Sequence, residues 1–196
     1  MKEIRIHARA GQGAITTGTL ISRAAFLEGK YAQSFPTFGA ARMGAPMNAF
    51  VRIDDKEIRI REQIHEPDAI LVADPTLITH SAELAGKADD EGLIGGFSVF
   101  RGLKPDGIAI VNSMESVDQF IGDSKAKIIT VPASKFAEEE IGRPEFANTA
   151  LIGALIAATD VVSFESFKKV MESMPKGAEN TKSAQRAFDY MKEQLK

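Results

Sequence analysis

The chain has 196 residues, a formal net charge of −3 at pH 7 and 44% hydrophobic residues, which is typical of an ordinary globular protein. It contains no cysteine, which excludes disulfides, thiolate nucleophiles and any iron–sulfur cluster held by its own cysteines. The slightly acidic balance offers no basic field for nucleic acid, and no segment reads as a membrane span or a signal peptide. We therefore expect one cytoplasmic domain over residues 1–196, with neither nucleic acid nor a membrane as partner.

The opening of the chain predicts a strand, a glycine turn and a helix. Residues Glu3–Ala8 alternate apolar and polar side chains as a half-buried strand does. The turn Arg9–Gly13 follows, and apolar residues at helical spacing predict a helix over Ala14–Leu27. A second strand at Tyr31–Phe35 would complete a βαβ-like unit. The next segment, Pro36–Pro46, is bounded by prolines and carries two glycines, which indicates an ordered loop.

A β-hairpin is the natural interpretation of the next two apolar runs. Asn48–Ile53 and Ile58–Arg61 flank a short acidic turn, as the two strands of a hairpin would. On this interpretation we expect Arg52, Arg59 and Arg61 to face solvent.

Buried strands and then helices account for the rest of the pattern. Three short apolar runs, Asp68–Asp74, Gly107–Val111 and Lys127–Val131, are typical of central strands. Helical spacing of apolar residues follows. The predicted helices are Ser134–Ile141, Glu145–Thr159, Phe164–Met174 and Thr181–Leu195. The sequence therefore predicts an α/β fold: a Rossmann-like mixed sheet with flanking helices and a helical C-terminal part.

The glycine turn is the best ligand site in the sequence. A turn between a strand and a helix presents unpaired backbone N–H groups beside the positive helix end, which suits a phosphate. The residues concerned are Gly11, Gln12, Gly13 and Ala14. The third glycine and the acidic residue of a dinucleotide fingerprint are missing, as is the Gly-Lys-Ser/Thr of a P-loop. A nicotinamide cofactor is thus disfavoured, and a tight connection without any ligand remains an equal alternative.

Few other residues suggest chemistry. Arg42, in the proline-bounded loop, can offer a planar fork of donors to an anion, although an ordinary exposed arginine is the alternative. His7 lies in the first predicted strand, where a packed or hydrogen-bonded histidine is the expectation. No Ser/His/Asp order, paired histidine spacing or HExxH pattern occurs. The sequence therefore predicts no catalytic residue and no metal site in this chain.

Several ordered landmarks point to a known family. They are His7–Ala14, Ala24–Pro36, Phe38-Gly39, Arg42, Gly44–Pro46, Phe50–Ile53, Ile64, Glu66–Asp68, Asn148 and Asn180. With them the chain resembles the gamma subunits of 2-oxoacid:ferredoxin oxidoreductases of the pyruvate type over nearly its whole length.

The resemblance implies a multi-subunit enzyme. Such enzymes decarboxylate a 2-oxoacid on thiamine diphosphate, pass electrons through iron–sulfur clusters to ferredoxin and transfer the acyl group to coenzyme A. It implies that alpha, beta and delta subunits hold the thiamine and the clusters, and that the isolated chain is inactive. It also implies coenzyme A contacts here. Matched residue by residue, these are Ala10, Gly11, Gln12, Gly13 and Ala14, with Arg42 in the basic role.

The resemblance leaves alternatives open. Ala8 and Ala10 stand where relatives generally carry glycine, and Met43 stands where a second arginine is common. A Cβ at position 10 narrows the backbone conformations allowed there. A purely structural interaction subunit without a ligand is therefore the main rival. A gamma subunit of a branched-chain 2-oxoacid or 2-oxoglutarate homologue is another alternative, and an independent nucleotide-binding enzyme is a third.

Overall fold

The computed structural model describes residues 1–37, 43–78, 99–116 and 127–196. Within these ranges, six strands form one mixed sheet in the order β2-β3-β1-β4-β5-β6. Strands β1, β4, β5 and β6 are parallel, whereas β3 is antiparallel to both β1 and β2. The strands are β1 (Lys2–Arg9), β2 (Tyr31–Pro36), β3 (Pro46–Asp54), β4 (Ala69–Val72), β5 (Ile108–Asn112) and β6 (Lys127–Val131). The predicted α/β class with a mixed sheet is confirmed.

The helices fall where the apolar spacing predicted them. They are α1 (Ala14–Leu27), α2 (Ala133–Ile141), α3 (Ala147–Thr159), α4 (Phe164–Glu172) and α5 (Gly177–Gln194). Helix α5 begins a turn earlier than predicted, because its first residues, Gly177 to Asn180, carry no apolar periodicity that the sequence could reveal. A 3₁₀ turn at Pro144–Phe146 precedes α3. None of the helices in the described ranges is long and apolar enough to cross a membrane.

Helix α3 is the centre of the larger apolar core. Every residue from Ala147 to Ala157 is buried, so the helix lies between the sheet and the other helices. Helices α1, α4 and α5 contribute to the same cluster on one face of the sheet. On the opposite face, Leu77 and Val99 pack against Ile70 and Val72 of β4. Both faces of the parallel strands are therefore covered, as such strands require.

The predicted β-hairpin is wrong. Residues Ile58–Arg61 form no strand, and β3 pairs instead with two elements that precede it in the chain. Ile53 lies opposite Lys2 of β1 and also opposite Ala32 of β2. Strand β3 thus separates β1 from β2, so the predicted βαβ-like unit is split by an inserted antiparallel strand.

The position of β3 also overturns the prediction for Arg52. Its side chain is only 1% exposed, because β3 is an inner strand rather than one arm of a free hairpin. The Arg52 Nε donates to Oε1 of Glu3 at 2.8 Å, and its guanidinium lies 5.6 Å from the ring centroid of Phe35. Arg59 and Arg61 are exposed, as predicted.

Candidate functional site

The turn between β1 and α1 requires glycine at two positions. Gly11 has a φ of 104° and Gly13 a φ of 78°, both in the left-handed region that side chains with a Cβ avoid. A Cβ on Gly13 would also stand 3.0 Å from Nδ2 of Asn148, and one on Gly11 would stand 2.8 Å from Sδ of Met43. The backbone at this turn is therefore approached closely from two sides.

The turn leaves backbone donors unpaired at the positive end of α1. The first helical hydrogen bond runs from the N–H of Thr17 to the carbonyl of Gly13 at 2.8 Å, so the preceding amides have no acceptor in the helix. No acidic residue lies in the first turn of α1. The arrangement can hold an anion by charge and by hydrogen bonds.

The predicted contact residues divide into two groups. The amide of Ala10 donates to the carbonyl of Ala45 at 2.8 Å, and that of Gln12 donates to the carbonyl of Arg9 at 3.0 Å. Both amides are therefore committed within the protein. The amides of Gly11, Gly13 and Ala14 have no acceptor among the described residues.

A partly buried carboxylate holds the turn against the end of β4. Asp74 Oδ2 accepts from Nε of Arg9 at 2.9 Å and from Nε2 of Gln12 at 3.2 Å. Burial opposes ionisation of Asp74, but hydrogen bonds from Thr76 and Gln12 and the charge of Arg9 outweigh it and lower its pKa. The side chain of Gln12 thus anchors the turn. Sequence reasoning gave Asp74 no role, although an aspartate directly after a buried strand was visible.

The segment that follows Met43 returns to the turn. Gly44 donates its amide to the carbonyl of Ala10 at 3.0 Å, and the Nη1 of Arg9 donates to the carbonyl of Gly44 at 3.2 Å. Arg42, predicted as the basic contact, lies outside the described residues. The described part of the predicted loop is therefore fastened to the glycine turn.

A cleft of about 610 Å³ opens beside the turn, within the size range of small-molecule sites. Gly11 and Gly13 of the turn line it, together with Asn148 of α3 and Lys176 at the start of α5. Arg143 also lines the cleft, with Nε 2.7 Å from Oε1 of Glu145. The sequence reasoning assigned no contact to Asn148 or Lys176, although Asn148 was one of the landmarks of the resemblance.

The other polar residues considered from the sequence have structural surroundings. His7 Nε2 accepts a hydrogen bond from Nε of Arg5 at 3.0 Å, so His7 is the hydrogen-bonded residue that the sequence predicted. Across the described ranges, no group of three or more histidine or carboxylate side chains could hold a metal ion.

Comparison with known proteins places these residues in context. Residues 3–190 match the family model described as pyruvate ferredoxin/flavodoxin oxidoreductase. A protein of Pyrococcus abyssi, the common gamma subunit of pyruvate/ketoisovalerate oxidoreductases, is 42% identical over 195 residues, which is 96% of each chain.

Two solved structures extend the likeness to the fold. The crystal structure of the pyruvate oxidoreductase subunit PORC of Thermotoga maritima superposes with a TM-score of 0.78 at 33% identity, and the match covers 96% of this chain and 95% of that one. The 2-oxoglutarate:ferredoxin oxidoreductase of Magnetococcus marinus, solved with 2-oxoglutarate, coenzyme A and succinyl-CoA, gives a TM-score of 0.71 at 16% identity. It matches all of this chain but only 31% of its own, so it shows a shared fold within a longer protein.

Proposed function

The chain belongs to the pyruvate ferredoxin/flavodoxin oxidoreductase family as a gamma subunit of a 2-oxoacid:ferredoxin oxidoreductase, and we propose that its glycine turn binds the phosphates of coenzyme A. The observation that carries the proposal is the set of unpaired amides at Gly11, Gly13 and Ala14, which face no acceptor among the described residues. Phosphate is the group that such a helix terminus binds best.

The position of the turn in the sheet supports the same ligand. It follows β1 at the carboxyl end of the parallel strands, next to Asp74 at the end of β4. Open α/β sheets bind ligands at this edge. The presence of coenzyme A in the Magnetococcus marinus structure is consistent with a coenzyme A site in a protein that contains this fold. Arg42 enters the proposal by its sequence position, two residues before Gly44.

In this proposal the chain acts as one subunit of a complex with alpha, beta and delta subunits. Thiamine diphosphate and the iron–sulfur clusters lie in alpha, beta and delta subunits, and electrons leave through them to ferredoxin. The gamma subunit docks onto the thiamine-binding subunits and presents coenzyme A. Exposed apolar side chains support a docking role, since Phe26 is 56% exposed and Leu27 is 58% exposed at the end of α1.

Hydrogen exchange on the intact complex tests the ligand assignment. Titration with coenzyme A should slow exchange of the amides from Gly11 to Thr17, because bound phosphate accepts their hydrogen bonds. A purely structural subunit would show no such protection, and that result would overturn the proposal.

The variant Arg42→Ala tests the basic contact by kinetics. Loss of a charge-assisted hydrogen bond corresponds to about tenfold to a hundredfold in affinity. We expect KM for coenzyme A to rise by that factor while electron transfer from the oxoacid stays near the wild-type rate. An unchanged KM would remove Arg42 from the site and leave the turn to be judged by hydrogen exchange.

A second candidate function concerns which enzyme the subunit serves. The Pyrococcus abyssi relative is named as a subunit common to pyruvate and ketoisovalerate oxidoreductases. If this chain is also shared by two enzymes, it should copurify with two sets of catalytic subunits, one active on pyruvate and one on a branched-chain 2-oxoacid. Activity of the purified assemblies on pyruvate alone would restrict it to the pyruvate enzyme.

A further inference from the structure

We infer that residues 56–62, the pairing segment, join this chain to a second copy of itself as a two-stranded antiparallel ladder about a two-fold axis at Arg59. The pairing segment follows β3 and lies outside the six-stranded sheet. Its sequence predicted a strand, yet it has no strand partner among the described residues. A second copy supplies that partner, by contacts that do not involve coenzyme A.

The side chains of the pairing segment are arranged as in a strand. Ile58 and Ile60 alternate with Arg59 and Arg61, and β-branched residues at alternate positions favour extended backbone. The Nη2 of Arg59 donates to Oε2 of Glu57 at 2.7 Å, and its Nε donates to the same oxygen at 3.1 Å. Side chains two positions apart lie on the same face of an extended chain. The segment therefore has the geometry of a strand without the ladder.

The backbone of the pairing segment is open to another chain. No backbone N–H or carbonyl of residues 57–63 forms a hydrogen bond to any described residue. The side chains are open as well: Arg59 is 84% exposed, Glu57 is 61% exposed and Ile60 is 41% exposed. Unpaired backbone groups along an extended segment are a template on which a second strand can add. The side chains decide which strand fits.

The order of charges makes the segment complementary to its own copy. With the two-fold axis at position 59, the residues that lie opposite one another are Lys56 and Glu62, Glu57 and Arg61, and Ile58 and Ile60. Each pair occurs twice, because a two-fold contact is isologous. Opposite charges and apolar side chains directly across a ladder stabilise it, whereas like charges destabilise it. The charge pattern thus favours a second copy as the partner.

The axis itself carries the one unfavourable pair. Two copies of Arg59 face each other there, but each is already bound to the carboxylate of Glu57 in its own chain, which offsets the repulsion. Neighbouring registers are poorer. An axis at position 60 would set Arg59 against Arg61 in two places, and an axis at position 58 would set Lys56 against Ile60 in two places. Position 59 is therefore the preferred centre.

The expected dimer of the isolated chain is weak. A strand of seven residues extends for roughly 23 Å, and one such ladder buries less surface than a stable dimer needs. Association of the purified chain should therefore depend on its concentration. Within an oxidoreductase complex that holds two gamma subunits, the other subunits would raise the effective concentration of the two segments.

Charge reversal and its rescue test the pairing. Sedimentation velocity on the purified full-length chain, over a series of concentrations, measures the dissociation constant of the dimer. Glu57→Arg and Arg61→Glu each replace two attractive pairs by two repulsive ones, so each should raise that constant by about tenfold to a hundredfold. The double variant Glu57→Arg/Arg61→Glu restores opposite charges across the ladder. Its dissociation constant should return to within about threefold of the wild type.

Two further variants locate the axis. Arg59→Gln removes the like-charge pair at the centre, so it should tighten the dimer by about twofold to fivefold. Lys168→Glu is the control, because it reverses the charge of an exposed lysine of α4 and should leave the dissociation constant unchanged. Positions 57, 59 and 61 are exposed, so all variants should keep the wild-type melting temperature.

Three results would overturn the inference. The first is a wild-type chain that stays monomeric up to about 1 mM. The second is a double variant that dimerises no better than the single ones, and the third is a weaker dimer in Arg59→Gln. If the single variants lose alpha, beta and delta subunits on purification and the double variant does not regain them, a strand of another subunit occupies the segment instead. Amide protection at Gly11 to Thr17 by coenzyme A tests the proposed function separately in every case.

Discussion

The two ends of strand β1 use polar side chains in opposite ways. At the amino-terminal half, the buried Arg5 donates to the carbonyls of Val99 at 3.0 Å and Arg101 at 2.5 Å, and also to His7. At the carboxyl end, the amides of Gly11 and Gly13 and the side chain of Asn148 have no partner among the described residues. Burial and polarity alone thus do not identify a ligand site. A polar group whose hydrogen bonds are already made is structural, whereas the open amides at a helix terminus can donate to an anionic ligand.

The variant Arg5→Met tests this contrast and should have the largest effect on stability. The variant leaves the buried carbonyl of Val99 and the carbonyl of Arg101 without their donor, so we expect a loss of about 2–4 kcal/mol in the free energy of unfolding. Denaturant unfolding of the purified chain measures it. Arg59→Met is the control, since that side chain is 84% exposed and should change the same quantity by less than about 0.5 kcal/mol. Equal stabilities of the two variants would contradict the structural role of Arg5.

Gly13→Ala tests the other end of the strand. Its φ of 78° is unfavourable for alanine, and we expect a loss of about 1–2 kcal/mol in stability. The added methyl group would also displace Asn148, so coenzyme A should bind the complex at least about tenfold more weakly. Gly29→Ala is a matched control, because Gly29 has a φ of 72° but no neighbour within 4 Å of a Cβ. It should show the stability loss alone. Loss of affinity in Gly29→Ala as well would point to a global effect.

The smallest effect is a pH dependence carried by His7. Burial, together with the charge of Arg5, lowers the pKa of His7 to about 3, so the folded protein keeps it neutral near pH 6. The unfolded chain binds a proton there, since an ordinary histidine has a pKa of about 6.5. Stability therefore falls as pH drops below that value, by about 0.8 kcal/mol between pH 7.5 and pH 6.

The variant His7→Gln removes this titration. Its unfolding free energy should change less than that of the wild type over the same interval, measured by denaturant unfolding at both pH values. An equal slope in the two proteins would show that His7 titrates normally and that the buried cluster around Arg5 is more accessible to water than its contacts indicate.

Local sequence patterns predicted the individual strands and helices but not which strands pair with each other. Helix α1 and strand β1 follow from the spacing of apolar residues within single segments. The error at Ile58–Arg61 arose because pairing is a long-range property: β3 finds both its partners earlier in the chain. Arg52 was misplaced for the same reason. That residues 1–196 form a single domain stays a prediction.

The sequence predicted only part of the candidate site. Gly11 and Gly13 stand out because a strand, a glycine turn and a helix are contiguous. Asn148 and Lys176 lie more than a hundred residues further along, and only the packing of α3 and α5 brings them to the turn. No spacing rule reveals an unpaired amide, because the lack of a partner is a property of the folded chain.

The insertion of β3 between β1 and β2 has a consequence for how the protein acquires its structure. When the first 36 residues leave the ribosome, β1 and β2 have no direct contact to make, since every ladder hydrogen bond of β2 is to β3. Closure of that half of the sheet must wait for Asp54 to emerge. Long-range closures of this kind slow folding and leave strand edges open to other chains. We expect the nascent subunit to depend on chaperones during that interval.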